Sequence, residues 1–260
     1  MRLHRRSAFA CVLAALCRPA AAAPETLLGK VLRTGRLRIG VPTDLPPFGS
    51  MGPNGLPQGL DIDVARLVAA RLGVAAELIP VPSAQRVGWL QQGKVDLVIS
   101  TLGRTAERER LIDFSNDYSS FFLMVFGPKA MRVSTPADLA GKTLAVTRGS
   151  VEDGEVTRLG IAGLDIRRFD GNAQTLQAYV DGKVQLLAAG ITAATALGMR
   201  HPALSVDAKL TLKESRNHIG LPRGETEFRD RLNRLLEDAR QDGELRRITA
   251  RWFSRTGMKS

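Results

Sequence analysis

Cysteine is almost absent. The 260 residues hold two, Cys11 and Cys17, and both lie near the N-terminus. Arg2, Arg5 and Arg6 there precede an apolar core, Ser7 to Leu16, too short to span a bilayer. The small residues from Pro19 to Ala23 then offer cleavage sites. Residues 1–22 are read as an export signal cut after Ala22, which leaves Pro24 at the second mature position. Leu16 is bulky where a lipid-attachment site at Cys17 needs a small residue, and Arg5-Arg6 reads as an ordinary charged n-region rather than a twin-arginine signal. The mature chain beyond this leader has no thiol, hence no disulfide, no thiol nucleophile and no cysteine metal site.

Other scarcities narrow the function further. Three histidines, His4, His201 and His218, show neither HxxxH nor HExxH spacing, so a zinc centre is excluded and no metal is expected. No G-x-S-x-G, P-loop or G-x-G-x-x-G occurs. Aromatics make up 5% of the chain. The formal charge of +11 falls when Arg2, Arg5, Arg6 and Arg18 leave with the signal. The remaining arginines are scattered or gathered on one C-terminal helical face, the pattern of a solvated surface rather than a nucleic-acid site. No second apolar run is long enough to span a membrane, and there are no internal repeats or low-complexity segments.

What is present is strand–helix alternation, twice over. Leu37–Val41 reads as a strand entering a Pro/Gly-rich loop, Pro42 to Gly59, after which Asp61 starts an amphipathic helix ended by Gly73. Asp61 and Asp63 read as N-cap and first-turn charges, not as a metal site. Glu77–Val81 and Val95–Ile99 are further strands. The apolar Phe121–Phe126 is buried on both sides or crosses between lobes. Then come Thr143–Thr147, a helix capped by Ser150 with Asp153 at the capping-box position, Ile166–Phe169, the helix Ala173–Asp181 and Val184–Ala189. Val206–Leu212 and His218–Leu221 lead to two C-terminal helices, Glu225–Gln241 and Gly243–Phe253. Such alternation predicts an α/β protein with parallel sheets in two lobes.

One stretch carries chemistry. The strand at Val95–Ile99 runs into Ser100-Thr101-Leu102-Gly103, hydroxyls and backbone amides, and Arg108 comes next on the first turn of a helix that Thr105 can cap. Hydroxyls, amides at a helix start and a positioned guanidinium suit a small carboxylate leaving water. Open α/β sheets place ligands at such strand ends.

The segments LRIGVPTDLPPFGS, GLDIDVARLVAARLGV, LQQGKVDLVIS, TAERERLIDFSNDY, LAGKTLAVTRGS, YVDGKVQLLAAG and EDARQDGELRRITARWF together resemble the type II periplasmic solute-binding proteins. The likeness is to the polar amino-acid-binding family of ABC importers. It implies two Rossmann-like lobes joined by a two-strand hinge, residues 23–119 plus 218–260 in one and 124–212 in the other, with crossings near 120–123 and 213–217. It also implies a monomeric, non-enzymatic periplasmic receptor without cofactor, partnered by an amino acid and a membrane permease.

By the same resemblance, the family's carboxylate-binding arginine falls on Arg108, its loop hydroxyls on Ser100 and Thr101, and its second-lobe hydroxyl on Ser150. Phe48 lies in the first cleft loop. Ser83 and Arg86 are nearer the glutamate- and aspartate-binding members, where a serine and an arginine contact the ligand. Arg148 adds positive charge beside the Gly149-Ser150 helix start. Gly190 stands where most members carry an aspartate for the ligand's ammonium, so Asp44 or backbone carbonyls hold the amine, or the ligand has none.

Plainer readings compete. Arg108 could pair with Glu107 or Glu109, Arg86 could lie on a helix surface, Arg148 could face solvent, Phe48 could be core, and Ser150 could be only a cap. Two rival functions are a dicarboxylate-binding protein and a dehydratase of a prephenate-like acid on the same scaffold. The second needs a cleft acid, for which Glu152 and Asp44 are the candidates.

Overall fold

A computed structural model describes residues 25–254; the expected export signal, with both cysteines, lies outside the described residues. In chain order the elements begin α1 (Leu27–Thr34), β1 (Arg36–Val41), β2 (Asp44–Leu45), β3 (Gly49–Met51), β4 (Pro57–Gln58), α2 (Leu60–Leu72) and β5 (Ala75–Pro80). Next are α3 (Arg86–Gln91), β6 (Leu97–Gly103), α4 (Ala106–Glu109) and the long β7 (Ile112–Gly127). Then come β8 (Thr143–Thr147), α5 (Val151–Arg158), β9 (Asp165–Phe169), α6 (Asn172–Val180), β10 (Leu186–Gly190) and α7 (Ile191–Arg200). The long β11 (Asp207–Pro222), α8 (Thr226–Gln241) and α9 (Glu244–Ser254) complete the described chain.

The main sheet runs β5-β1-β6-β11-β7-β10-β8-β9. Strands β5, β1 and β6 are mutually parallel, as are β10, β8 and β9. Between these parallel ends the two long strands β7 and β11 lie antiparallel, from Asp207 beside Gly127 to Pro222 beside Ile112. The expected α/β class is what the topology shows. The expected short strands at Phe121–Phe126, Val206–Leu212 and His218–Leu221 are pieces of these two sixteen-residue strands. Register shifts at Ala208/Leu210, Thr211/Lys213 and His218/Gly220 bend the pair and interrupt its alternation. That is why the sequence shows fragments.

Each parallel end has its own core. On one side Leu37 and Ile39 of β1, Ile62 and Val68 of α2, and Phe228 and Leu232 of α8 pack together. On the other, Leu176, Leu187 and Leu197 pack on one face of the sheet, and Leu139, Val146 and Leu186 on the other.

The loop before α2 folds into a small sheet, β2-β3-β4. Gly59 caps α2 with φ 146° and no side-chain hydrogen bond, and a Cβ there would lie 2.1 Å from the Phe48 carbonyl oxygen. Only glycine fits so close a backbone approach. Gly59→Ala is expected to lower stability by about 1–3 kcal/mol, read as a lower urea midpoint at unchanged slope.

Candidate functional site

The face between the two core regions is built from chain ends. The loop after β1 supplies Leu45 and Phe48, the start of α3 supplies Ser83 and Arg86, and the end of β6 supplies Thr101. From the other side come Ser150 and Glu152 at the start of α5, Asn172 at the start of α6 and Gly190 at the end of β10. Phe121 and Leu123 of β7 and Ser215 of β11 lie where the long strands pass between the two sides. Ser150 caps α5 as expected, its Oγ accepting from the Asp153 amide at 3.2 Å, and the Asp153 carboxylate accepts from the Gly149 amide. Thr105 caps α4 in the same way.

Two adjoining cavities, each about 20 Å³, are enclosed here. The first is polar. Ser83, Arg86, Thr101, Ser150, Glu152, Asn172 and Ser215 line it with Leu45, Phe121, Leu123 and Val151. The second shares Leu45, Phe121, Glu152 and Asn172 and is otherwise mostly apolar, with Phe48, Leu176, Ala188, Ala189, Gly190 and Ala193 on its walls.

Arg86 dominates the polar cavity. It is 4% exposed, so it is not a surface arginine. Among the described residues its only hydrogen bond runs from Nη2 to Ser83 Oγ at 2.7 Å, and its buried Nε has no partner. Burial pushes its pKa below the usual guanidinium value, opposed by the charges of Asp44, Asp61 and Glu152. Glu152 is shifted the other way: burial raises its pKa, opposed by its backbone and Ser150 hydrogen bonds and by Arg86 and Arg108.

Arg108 stands outside this cavity. Its Nη1 donates to the Gly103 carbonyl and its Nη2 to that of Gly149, both at 2.7 Å, which ties α4 to the opposite side. It lines a broad groove of about 680 Å³ together with Thr105, Gly149, Ser150 and Arg168. Burial, and then the charge of Arg86, lower its pKa to about 10.

The other expected residues fall in different places. Ser83 and Thr101 join Arg86 at the cavity, and Ser83, Arg86 and Ser150 line the groove as well. Ser100 does not reach the cavity: it is fully buried in β6, its hydroxyl without a partner among the described residues. Phe48 is core, 1% exposed, and forms the floor of the apolar cavity with its ring 5.1 Å from that of Phe121. Asp44 is already engaged, accepting from the Asn172 amide at 2.7 Å and from Asn172 Nδ2 at 3.1 Å, and so ties the β2 loop to α6. Arg148 belongs to the surface, half exposed and paired with Asp170 at 2.8 Å. Its guanidinium is drawn away by that carboxylate, so Arg148→Ala is expected to change stability by less than about 0.5 kcal/mol and to leave ligand affinity unaltered in calorimetry.

The residue that sequence reasoning misread is Asp61. It is not the N-cap of α2, a place taken by Gly59, and it is fully buried. One carboxylate oxygen accepts from the Thr101 amide at 2.7 Å, the other from the Tyr118 hydroxyl at 2.9 Å. The Thr101 amide, expected to be free for a ligand, is therefore spent on Asp61. Thr101 is also the one non-glycine residue with positive φ among the described residues, at 42°. A strained residue held by a buried acid at the wall of a cavity is a feature of pre-organised sites. No sequence signal marks it, since an aspartate in a first helical turn ordinarily faces solvent.

No group of histidine, cysteine, aspartate and glutamate suited to a metal ion occurs among the described residues, and no helix there is long and apolar enough to cross a membrane. What the arrangement can do is hold a small anion out of water, against the Arg86 guanidinium, at the ends of strands and helices contributed by both sides.

Comparison with known proteins gives the family. The L-cystine-binding protein TcyJ of Escherichia coli K12 is 26% identical over 234 residues, covering 89% of this chain and 87% of that protein. The cyclohexadienyl dehydratase of Pseudomonas aeruginosa is 26% identical over 255 residues, 96% of this chain and 94% of that one. Among solved structures, the cysteine-binding protein from Campylobacter jejuni superposes with a TM-score of 0.83 at 26% identity, covering 89% of this chain and 94% of that chain. Residues 37–255 match the family model itself, and this chain belongs to the bacterial extracellular solute-binding proteins, family 3.

Proposed function

We propose that this chain is the periplasmic binding component of an ABC importer, taking a small acidic solute of amino-acid size, an acidic amino acid or a dicarboxylate, into the cavity around Arg86. The observation that carries the reading is Arg86 itself: a buried guanidinium whose Nε has no partner among the described residues, in a cavity lined by Ser83, Thr101, Ser150 and Asn172. A desolvated cation left short of acceptors is strongly favoured by an incoming carboxylate. Arg108 is the second cation, available to a second carboxylate when it releases the Gly149 carbonyl.

Binding is coupled to closure. Residues 23–119 plus 218–260 form one lobe and 124–212 the other, with pivots at 120–123 and 213–217, and residues 1–22 direct export. The Asp44–Asn172, Ser83–Asn172 and Arg108–Gly149 contacts join the two sides, and the cavities they enclose have room for little more than water, so the two sides stand further apart around a bound solute than they do here. The solute enters with the lobes apart and shifts the population toward closure by the contacts it adds in the closed state. The protein acts as a monomer that presents its solute to a membrane permease. Its chemistry is binding, without nucleic acid or cofactor.

The test is a thermal-shift panel over the twenty amino acids and small dicarboxylates. An acidic solute at a hundred times its dissociation constant should add about 2.7 kcal/mol of stability. A panel in which no acid shifts the midpoint, or in which a cationic amino acid shifts it most, overturns the reading.

One observation favours a second reading, catalysis. Glu152 is an acid on the cavity wall that burial biases toward its protonated form, as a general acid requires. With a prephenate-like acid bound, Glu152 would give its proton to the ring hydroxyl. The C–O bond breaks and water leaves, the bond to the ring carboxylate breaks to release carbon dioxide, and that electron pair completes the aromatic ring. Incubation with prephenate should then yield phenylpyruvate, lost in Glu152→Gln. No product with the wild-type protein excludes this activity.

A further inference from the structure

Two features of the apolar cavity concern what lies at the ligand's far end. Gly190 closes β10 and caps α7 without a side-chain hydrogen bond, which leaves the first amides of that ten-residue helix without a cap, and Gly190, Thr192 and Ala193 at its start line the cavity. Thr192 on that wall is 3% exposed, and its Oγ1 has no hydrogen-bond partner among the described residues. Phe121 seals the position. A Cβ on Gly190 would lie 2.5 Å from its Cε2 and 2.7 Å from its Cδ2, so a side chain there, a carboxylate included, requires the Phe121 ring to move.

The remaining polar groups of the wall are occupied. Thr147 bonds Asn172 at 3.0 Å and Thr175 at 2.8 Å, and Thr175 donates to the Gly171 carbonyl. Asp44 is taken by Asn172. Among the described residues Glu152 is the one acid lining either cavity, and burial biases it toward its uncharged form, which offers an ammonium no full counter-charge. An ammonium group at Gly190 would meet the positive end of a helix, a ring face and one hydroxyl. That is too little to replace its water. An uncharged oxygen would find a donor in Thr192 and in the first turn of α7.

We propose that the ligand carries no charged amine: it is a carboxylic acid that presents a hydroxyl or keto oxygen to Thr192 and the start of α7. This rests on the reading of the Arg86 cavity as an anion site. Calorimetry on the full mature protein with matched probes tests it: L-glutamate against 2-hydroxyglutarate and 2-oxoglutarate, and L-phenylalanine against phenyllactate and phenylpyruvate. In the series that binds, the amine-free acids should be tighter by about tenfold or more. Thr192→Val should weaken the hydroxy acid by about fivefold to tenfold and leave plain glutarate or phenylpropionate unchanged. The double variant Phe121→Ala, Gly190→Asp should turn the preference toward the amino acid. Amino acids that bind the wild type as tightly as their amine-free partners overturn this proposal while the anion site stands. No binding in either series overturns the anion site, and this inference with it.

Discussion

Arg86→Met removes the ligand's main counter-charge and is expected to weaken binding of the acidic solute by about 2–5 kcal/mol. Methionine keeps most of the side chain's length and apolar stem, so the packing around Ser83 and Leu45 has little reason to rearrange. The protein should fold, because among the described residues the guanidinium makes only one hydrogen bond, to Ser83, and leaves its Nε unpaired. Loss of affinity with an intact far-UV spectrum and cooperative unfolding is the expected outcome. Arg86→Lys should recover only part of it, since an ammonium supplies a point charge without the planar fork. A methionine variant with wild-type affinity would move the anion site to Arg108 and the outer groove.

The second large effect concerns Asp61 and pH. Burial pushes its pKa to about 7, against the hydrogen bonds from Tyr118 and Thr101 and the charge of Arg86, which act to lower it. A carboxyl whose folded pKa lies above its unfolded value holds its proton more tightly in the folded protein. Its contribution to stability is complete below about pH 4 and is lost as pH rises to about 7. At roughly 1.4 kcal/mol per unit, the span is about 4 kcal/mol. Asp61→Asn should flatten that part of the stability curve. The amide oxygen can still accept from the Thr101 amide, and the amide nitrogen can donate to a reversed Tyr118 hydroxyl. Asp61→Leu leaves the Thr101 amide unpaired, so it should be less stable than the asparagine variant and should also disturb the cavity wall. Urea titrations from pH 4 to pH 8 decide it. An asparagine variant with the same slope against pH as the wild type would show that Asp61 is not the titrating group.

Much of the fold is written locally. Thr105 and Ser150 cap α4 and α5 because a hydroxyl three residues before a free amide needs no tertiary help. Gly73 ends α2 in the left-handed region for the same local reason. The strand–helix order was enough for two parallel sets.

What the sequence hid depends on distant chain. The bulges of β7 and β11 arise from pairing with each other, so each strand reads as disconnected apolar pieces. Arg86 looks like any helical arginine until Asn172, Glu152 and Ser150 approach from the opposite side. Asp61 looks solvated until Tyr118 and Thr101 enclose it. Arg148 shows the converse: a suggestive position in the chain next to a helix start, but a carboxylate at Asp170 holds it in solvent.

The most direct test is the structure of the protein with the acid that gives the largest thermal shift. The carboxylate should lie about 3 Å from the Arg86 guanidinium, as a charge-assisted hydrogen bond requires, enclosed by Ser83, Thr101, Ser150 and Asn172. A ligand seated in the outer groove on Arg108, with no oxygen in contact with Arg86, would contradict the account.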